Sequence, residues 1–124
     1  MRVLIVEDDP ETRHELRLLL EEEGYTVLEA RDGRTALDLA TLRLPDLVLQ
    51  DLLLPDIPGF QLLEALRRLP GGTQVPVVAL SGFHELLGEA QQSAQAFSAY
   101  LGKPFDASRL CAVVRAQLRP RLVP

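Results

Sequence analysis

Five short apolar runs separated by stretches of helical periodicity limit what this chain can fold into. The runs are residues 3–6 (VLIV), 26–30 (TVLEA), 46–50 (DLVLQ), 75–80 (VPVVAL) and 99–102 (AYLG). Each has the length of a strand, not of a helix. After the first, Asp9-Pro10 forms an N-cap and first-turn pair, Leu16, Leu19 and Leu20 share one helical face, and Gly24 stands where that helix should stop. Ala36, Leu37 and Ala40 repeat the pattern within 33–43, and Leu62, Leu63, Leu66 and Leu69 do so after Phe60, ending at Pro70-Gly71-Gly72. A fourth helix over about 84–95 is thin and interrupted by Gly88. Asp106 then caps a last helix with Leu110, Val113, Val114 and Leu118 in helical register. Pro76 is expected near the start of its strand, where a missing ladder donor is tolerated.

Strand–helix alternation repeated five times predicts an α/β fold with parallel strands, right-handed crossovers and helices on both faces. The natural architecture is a flavodoxin-like, doubly wound five-stranded parallel sheet of order 2-1-3-4-5 with five helices. A chain of 124 residues suits one domain, read as 1–119, with 120–124 as a tail or the start of a linker. The formal charge of −5 argues against nucleic acid or an anionic membrane as a direct partner. Cys111 is the single cysteine and cannot form an internal disulfide. No run approaches the roughly 18 apolar residues of a membrane span, and MRVLIVEDD lacks the build of a signal peptide, so a cytoplasmic location is expected.

In open sheets of this kind ligands bind outside the carboxyl ends of the strands, near the point where strand order reverses. Four strand ends therefore matter. Glu7, Asp8 and Asp9 follow the first strand, Asp51 the third, Ser81 the fourth and Lys103 the fifth. Asp51 is the most demanding of these, because it interrupts the apolar run VLQDLLLP and a charge beside buried surface is costly unless paired. It is expected at an exposed rim. Asp56, between two prolines, reads as an ordinary loop acid.

Clustered carboxylates repel unless a cation intervenes. For an all-oxygen cluster the fitting cation is Mg²⁺, which takes one or two carboxylates and keeps several waters. Lys103 adds a positive charge opposite, and with Ser81 it leaves room for a tetrahedral anion. A carboxylate so placed can accept a phosphoryl group, since that transfer asks mainly for in-line positioning and neutralised oxygens. Asp51 is assigned as that nucleophile, being the acid at the end of the central strand without an adjacent carboxylate.

From LIVEDDP through QDLLLPDIPG and VVALSG to AYLGKPF, the chain resembles the receiver domain of two-component response regulators. The resemblance implies that Asp51 is phosphorylated, with Lys103 contacting the phosphate and Ser81 as the switch hydroxyl. It implies Mg²⁺ held by Asp8, Asp51 and the main-chain carbonyl of Leu53, with Glu7 acting through water. Pro104 would follow a cis peptide bond, and Tyr100 would be the aromatic that turns inward. A histidine kinase, a histidine phosphotransfer domain or acetyl phosphate would supply the phosphoryl group. The chain would promote its own phosphorylation and dephosphorylation while acting chiefly as a switch. Its output surface would comprise the fourth helix, fifth strand and fifth helix, read by an effector domain or protein.

Three departures from the family pattern stand out. Pro58 replaces the acidic or small polar residue that often precedes the glycine. Residues 95–98 (QAFS) replace the usual Gly-Ala turn before strand five. Ser98-Ala99 replaces the Asp-Asp typical of receivers that dimerise through this face. Leu53 and Phe83 flank the site as apolar residues. A phosphatase on the same fold needs an acid two residues after the nucleophile, where Leu53 stands, and no glycine-rich loop follows strand one to bind a nucleotide.

Overall fold

A computed structural model describes residues 1–83, 88 and 97–119. Five parallel strands, β1 (Arg2–Val6), β2 (Thr26–Ala30), β3 (Leu47–Asp51), β4 (Val77–Ser81) and β5 (Ala99–Gly102), form one sheet of order β2-β1-β3-β4-β5. Four helices are described: α1 (Pro10–Glu22), α2 (Gly33–Leu42), α3 (Gly59–Arg68) and α4 (Ala107–Leu118), the last being the fifth helix of the sequence reading. The helix expected over 84–95 lies outside the described residues apart from Gly88, which is helical, and 120–124 lie outside them as well. None of the described helices is long and apolar enough to cross a membrane.

Successive strand side chains point to opposite faces, and both faces are covered. Leu4, Val6, Val48 and Ala79 pack with Ala36 and Ala40 of α2 and Leu62, Leu63 and Leu66 of α3. Val3, Ile5, Leu47, Leu49, Val78 and Leu80 pack with Leu16 and Leu20 of α1 and Leu110 and Val114 of α4. Each fully buried leucine or isoleucine contributes about 1.5–3 kcal/mol of transfer free energy, which holds the helices on the sheet.

The helix starts are fixed by aspartates. Asp9 Oδ2 accepts from the Thr12 amide at 3.2 Å, Asp32 Oδ1 from Thr35 at 2.8 Å and Asp106 Oδ1 from Ser108 at 2.9 Å. Gly24 ends α1 with a left-handed φ of 92°, as its position suggested. The bounds of β3 and β4 differ from expectation. Asp51 and Ser81 belong to β3 and β4, because the ladder continues past the apolar run: Leu52 N–H donates to Leu80 O at 3.0 Å and Lys103 N–H to Ser81 O at 2.8 Å. At its other end β4 begins only at Val77, and Pro76 gives its carbonyl to Val48 N–H at 3.0 Å.

Candidate functional site

Strand alternation places Asp51 on the α1/α4 side of the sheet with Leu47 and Leu49. Continued one residue past β1 and β5, it puts Glu7 and Lys103 on that side too. The side chains meet there. Lys103 Nζ donates to Asp51 Oδ2 at 2.8 Å and forms a close ion pair with Glu7 Oε1. Glu7, Asp8 and Asp51 each offer a carboxylate oxygen, all within 4.8 Å of one another.

Burial is unequal across the cluster. Glu7 is 0% and Asp51 7% exposed, whereas Asp8 is open to solvent. The expected exposed rim position of Asp51 is therefore corrected. Its carboxylate is buried and is held by two partners, Lys103 and the Leu53 amide, which donates to Oδ1 at 2.9 Å. Burial pushes the Glu7 carboxyl up to about 7; the neighbouring Asp51 adds to the rise and Lys103 opposes it. Burial works against the Lys103 ammonium too, but its hydrogen bonds to Asp51 and Glu7 outweigh it and hold the pKa above its ordinary value.

Two carboxylates share one ammonium, and Glu7 Oε2 is buried with no hydrogen-bond partner. A buried orphan oxygen beside Asp8 and Asp51 is what a hard cation would satisfy, so the donor set fits Mg²⁺.

Ser81 is 1% exposed, and its Oγ accepts from the Phe83 amide at 3.0 Å. Asp51 and Ser81 thus do the same thing locally: each side chain accepts the amide two residues on. The residues so fixed, Leu53 and Phe83, are 50% and 59% exposed beside the site. Tyr100 is half-buried, its hydroxyl accepts from the Phe97 amide at 3.1 Å, and its ring meets Phe97 edge-on at 6.0 Å. The Lys103–Pro104 peptide bond is cis.

Sequence reasoning misread one acid near the site. Asp56 is not an ordinary loop acid. Its Oδ1 accepts from Gly33 N–H at 2.9 Å and Ile57 N–H at 3.0 Å, and its Oδ2 from Arg34 N–H at 2.9 Å. It thereby caps α2 from across the chain, taking amides that Asp32 does not reach. Desolvation works against the charge, but these amides prevail and hold its carboxyl below the ordinary value. The loop after β3 sits so close to α2 that a Cβ on Gly33 would collide with the Ile57 side chain.

This fold, with an acid cluster, a lysine and a hydroxyl at neighbouring strand ends, defines a class of signalling module. Residues 3–115 match the model of the response regulator receiver domain, and the chain belongs to that family. It is 39% identical to the DNA-binding dual master transcriptional regulator RpaA of Synechocystis over 95% of this chain and 49% of that protein. To protein PilH of Pseudomonas aeruginosa it is 32% identical over 94% of this chain and 97% of PilH. The chain thus spans about half the length of RpaA. Among solved structures, the chemotaxis response regulator CheY4 of Vibrio cholerae matches with a TM-score of 0.86 at 28% identity, covering 94% of this chain and 98% of CheY4. The receiver domain of the sensor histidine kinase PA1611 of Pseudomonas aeruginosa, solved with a magnesium ion in its active site cleft, matches at 0.84 and 28%, covering 94% and 96%.

Proposed function

We propose that Asp51 accepts a phosphoryl group in a Mg²⁺-dependent transfer and that its phosphorylation switches the surface of the expected fourth helix, β5 and α4. The observation that carries this reading is the Lys103 ammonium set against both Asp51 and Glu7, with the buried Ser81 hydroxyl at the end of the neighbouring strand β4. Asp8, Asp51 and the Leu53 carbonyl would hold the cation directly and Glu7 through water. When bound, Mg²⁺ neutralises charge on the phosphoryl oxygens.

An Asp51 carboxylate oxygen bonds to phosphorus as the P–N bond of a phosphohistidine, or the P–O bond of acetyl phosphate, breaks; the leaving group keeps the electron pair. Lys103 then transfers its hydrogen bond from the carboxylate to a phosphoryl oxygen. Ser81 accepts from Phe83 through an oxygen lone pair and keeps its own proton to donate to another phosphoryl oxygen. The added charge of about −1.5 to −2 draws both groups toward it. Tyr100, two residues from Ser81's strand partner Gly102, transmits the change to the β5 surface by turning inward.

The donor is a histidine kinase or histidine phosphotransfer domain, for which exposed Leu18 on α1 is a docking candidate. The output passes to an effector domain or protein, without direct contact of this domain with nucleic acid or membrane. Intact-mass measurement after incubation with acetyl phosphate and Mg²⁺ should show one added phosphoryl group on the wild type and none on Asp51→Asn. An adduct that survives the substitution overturns the assignment.

A further inference from the structure

We propose that Arg13 is a positioning residue that holds the Glu7–Asp8 turn in its cation-binding shape, an inference that rests on the metal site of the proposed function. Arg13 lies in the first turn of α1, and its Nη1 donates to the main-chain carbonyl of Glu7 at 2.8 Å. Its Nε lies 3.5 Å from Glu29 Oε1 on β2. Glu29 is itself fixed by Arg17, whose Nη1 reaches Oε2 at 2.6 Å. The Glu7 amide, on the other side of the residue, donates to Ala30 O at 3.0 Å.

Both main-chain groups of Glu7 are therefore anchored to β2, one directly and one through Arg13 and Glu29. The two carboxylates that follow depend on that peptide. Glu7 carries the buried orphan Oε2, and Asp8 is the exposed member of the cluster. Rotation of the peptide between them would swing both away from Asp51. Metal sites commonly rely on such outer partners to orient their ligands.

Charge alone would give Arg13 the opposite effect. A guanidinium near a cation site repels the cation, so removing it should tighten binding if only its field mattered. Positioning predicts the reverse, and the sign separates the two roles.

The test is calorimetric titration of the purified chain with MgCl₂, with thermal unfolding measured in chelator, for wild type, Arg13→Met and Arg13→Lys. Arg13→Met should bind Mg²⁺ about tenfold more weakly, the lower end of what losing an outer partner does. Arg13→Lys keeps the charge but lacks the fork that spans Glu7 O and Glu29, so it should fall between the two. Binding by Arg13→Met equal to or tighter than wild type overturns the proposal, even if its melting temperature drops, because Arg13 would then be a brace for α1 or a mere charge. Should Arg13→Met not fold, Glu29→Gln loosens the same anchor and must also weaken Mg²⁺; unchanged binding there overturns the proposal equally. A wild type without saturable Mg²⁺ binding overturns the metal site itself, and this inference with it, whereas saturable wild-type binding that the variants leave unweakened overturns the role of Arg13 alone.

Discussion

Replacing Glu7 with glutamine should remove the pH dependence that this one residue imposes on the metal-free protein. Its carboxyl is fully buried, and its pKa rises from an ordinary 4.5 to about 7. Between those values the folded state binds the proton more tightly than the unfolded chain, so the stability of the wild type falls as pH rises. The contribution is fully present below 4.5 and gone once the pH has risen through about 7. That interval corresponds to about 3 kcal/mol. Other groups titrate elsewhere: the carboxyls of Asp9, Asp32 and Asp56 are lowered from 3.8, so their stabilisation is lost only as pH falls through still lower values. Lys103 is raised above 10.5, and its contribution fades only above that. The difference between Glu7→Gln and wild type in urea unfolding with chelator, followed from about pH 5 to about pH 8, isolates the Glu7 contribution. Glu7→Gln should gain on wild type by up to about 3 kcal/mol across that range. Mg²⁺ at ten times its dissociation constant should return about 1.4 kcal/mol to the wild type. A flat difference across the range would refute the reasoning, since it would mean that the buried carboxyl carries no raised affinity for its proton.

Two further outcomes follow from the site's surroundings. If Leu53 and Phe83 shield the acyl phosphate from water, then changing both to polar residues should speed loss of the phosphoryl group by about tenfold, or about 1.4 kcal/mol in the barrier; dephosphorylation followed by intact mass at an unchanged rate removes that role. Asp56→Ala should lower stability by about 1 kcal/mol, the usual worth of a helix cap, with Asp56→Asn losing less because it keeps an acceptor; chemical denaturation with an unchanged midpoint for Asp56→Ala would show that α2 does not need the cap.

A parallel sheet covered on both faces was readable from the alternation of apolar runs and helical stretches, and its order 2-1-3-4-5, inferred at the level of the fold, is the one observed. The ends of β3 and β4 were not, since a polar residue after an apolar run looks like a loop, while backbone pairing ignores side-chain polarity. Asp51 and Ser81 consequently lie inside the ladder. That Glu7, Asp51 and Lys103 would come together was legible because strand ends bring distant segments together predictably. Their burial was not legible: the sequence does not reveal that Lys103 reaches back far enough to cover both acids. Asp56 and Arg13 were missed for a related reason. Asp56 works on amides 22 and 23 residues away, at a helix start where Asp32 already supplies the local cap. The role of Arg13 lies in one main-chain carbonyl, which carries no mark in a sequence.

The loop that follows Asp51 is tied down at more points than its length requires. Asp51 holds the Leu53 amide, Leu53 and Pro58 form an isolated antiparallel bridge, Asp56 grips α2, and buried Gln50 donates to Gly59 O at 3.0 Å. Gly59 in turn packs so closely that a Cβ there would come within 3.0 Å of the Leu52 backbone. Gln50 leaves its Oε1 buried without a partner, a polar cost that an apolar residue would avoid. Accepting that cost makes sense if the loop must be rigid. The proposed carbonyl ligand from Leu53 would be useful to a cation only where the peptide is preorganised, and the same rigidity would fix the Asp51 carboxylate for the proposed in-line attack. On this side the site is a fixed frame, so a structural response to the proposed phosphorylation would have to be carried by the other members: Lys103, whose carboxylate acceptors a phosphoryl oxygen can replace, and Ser81, which accepts from the Phe83 amide and can donate its own hydroxyl proton to one.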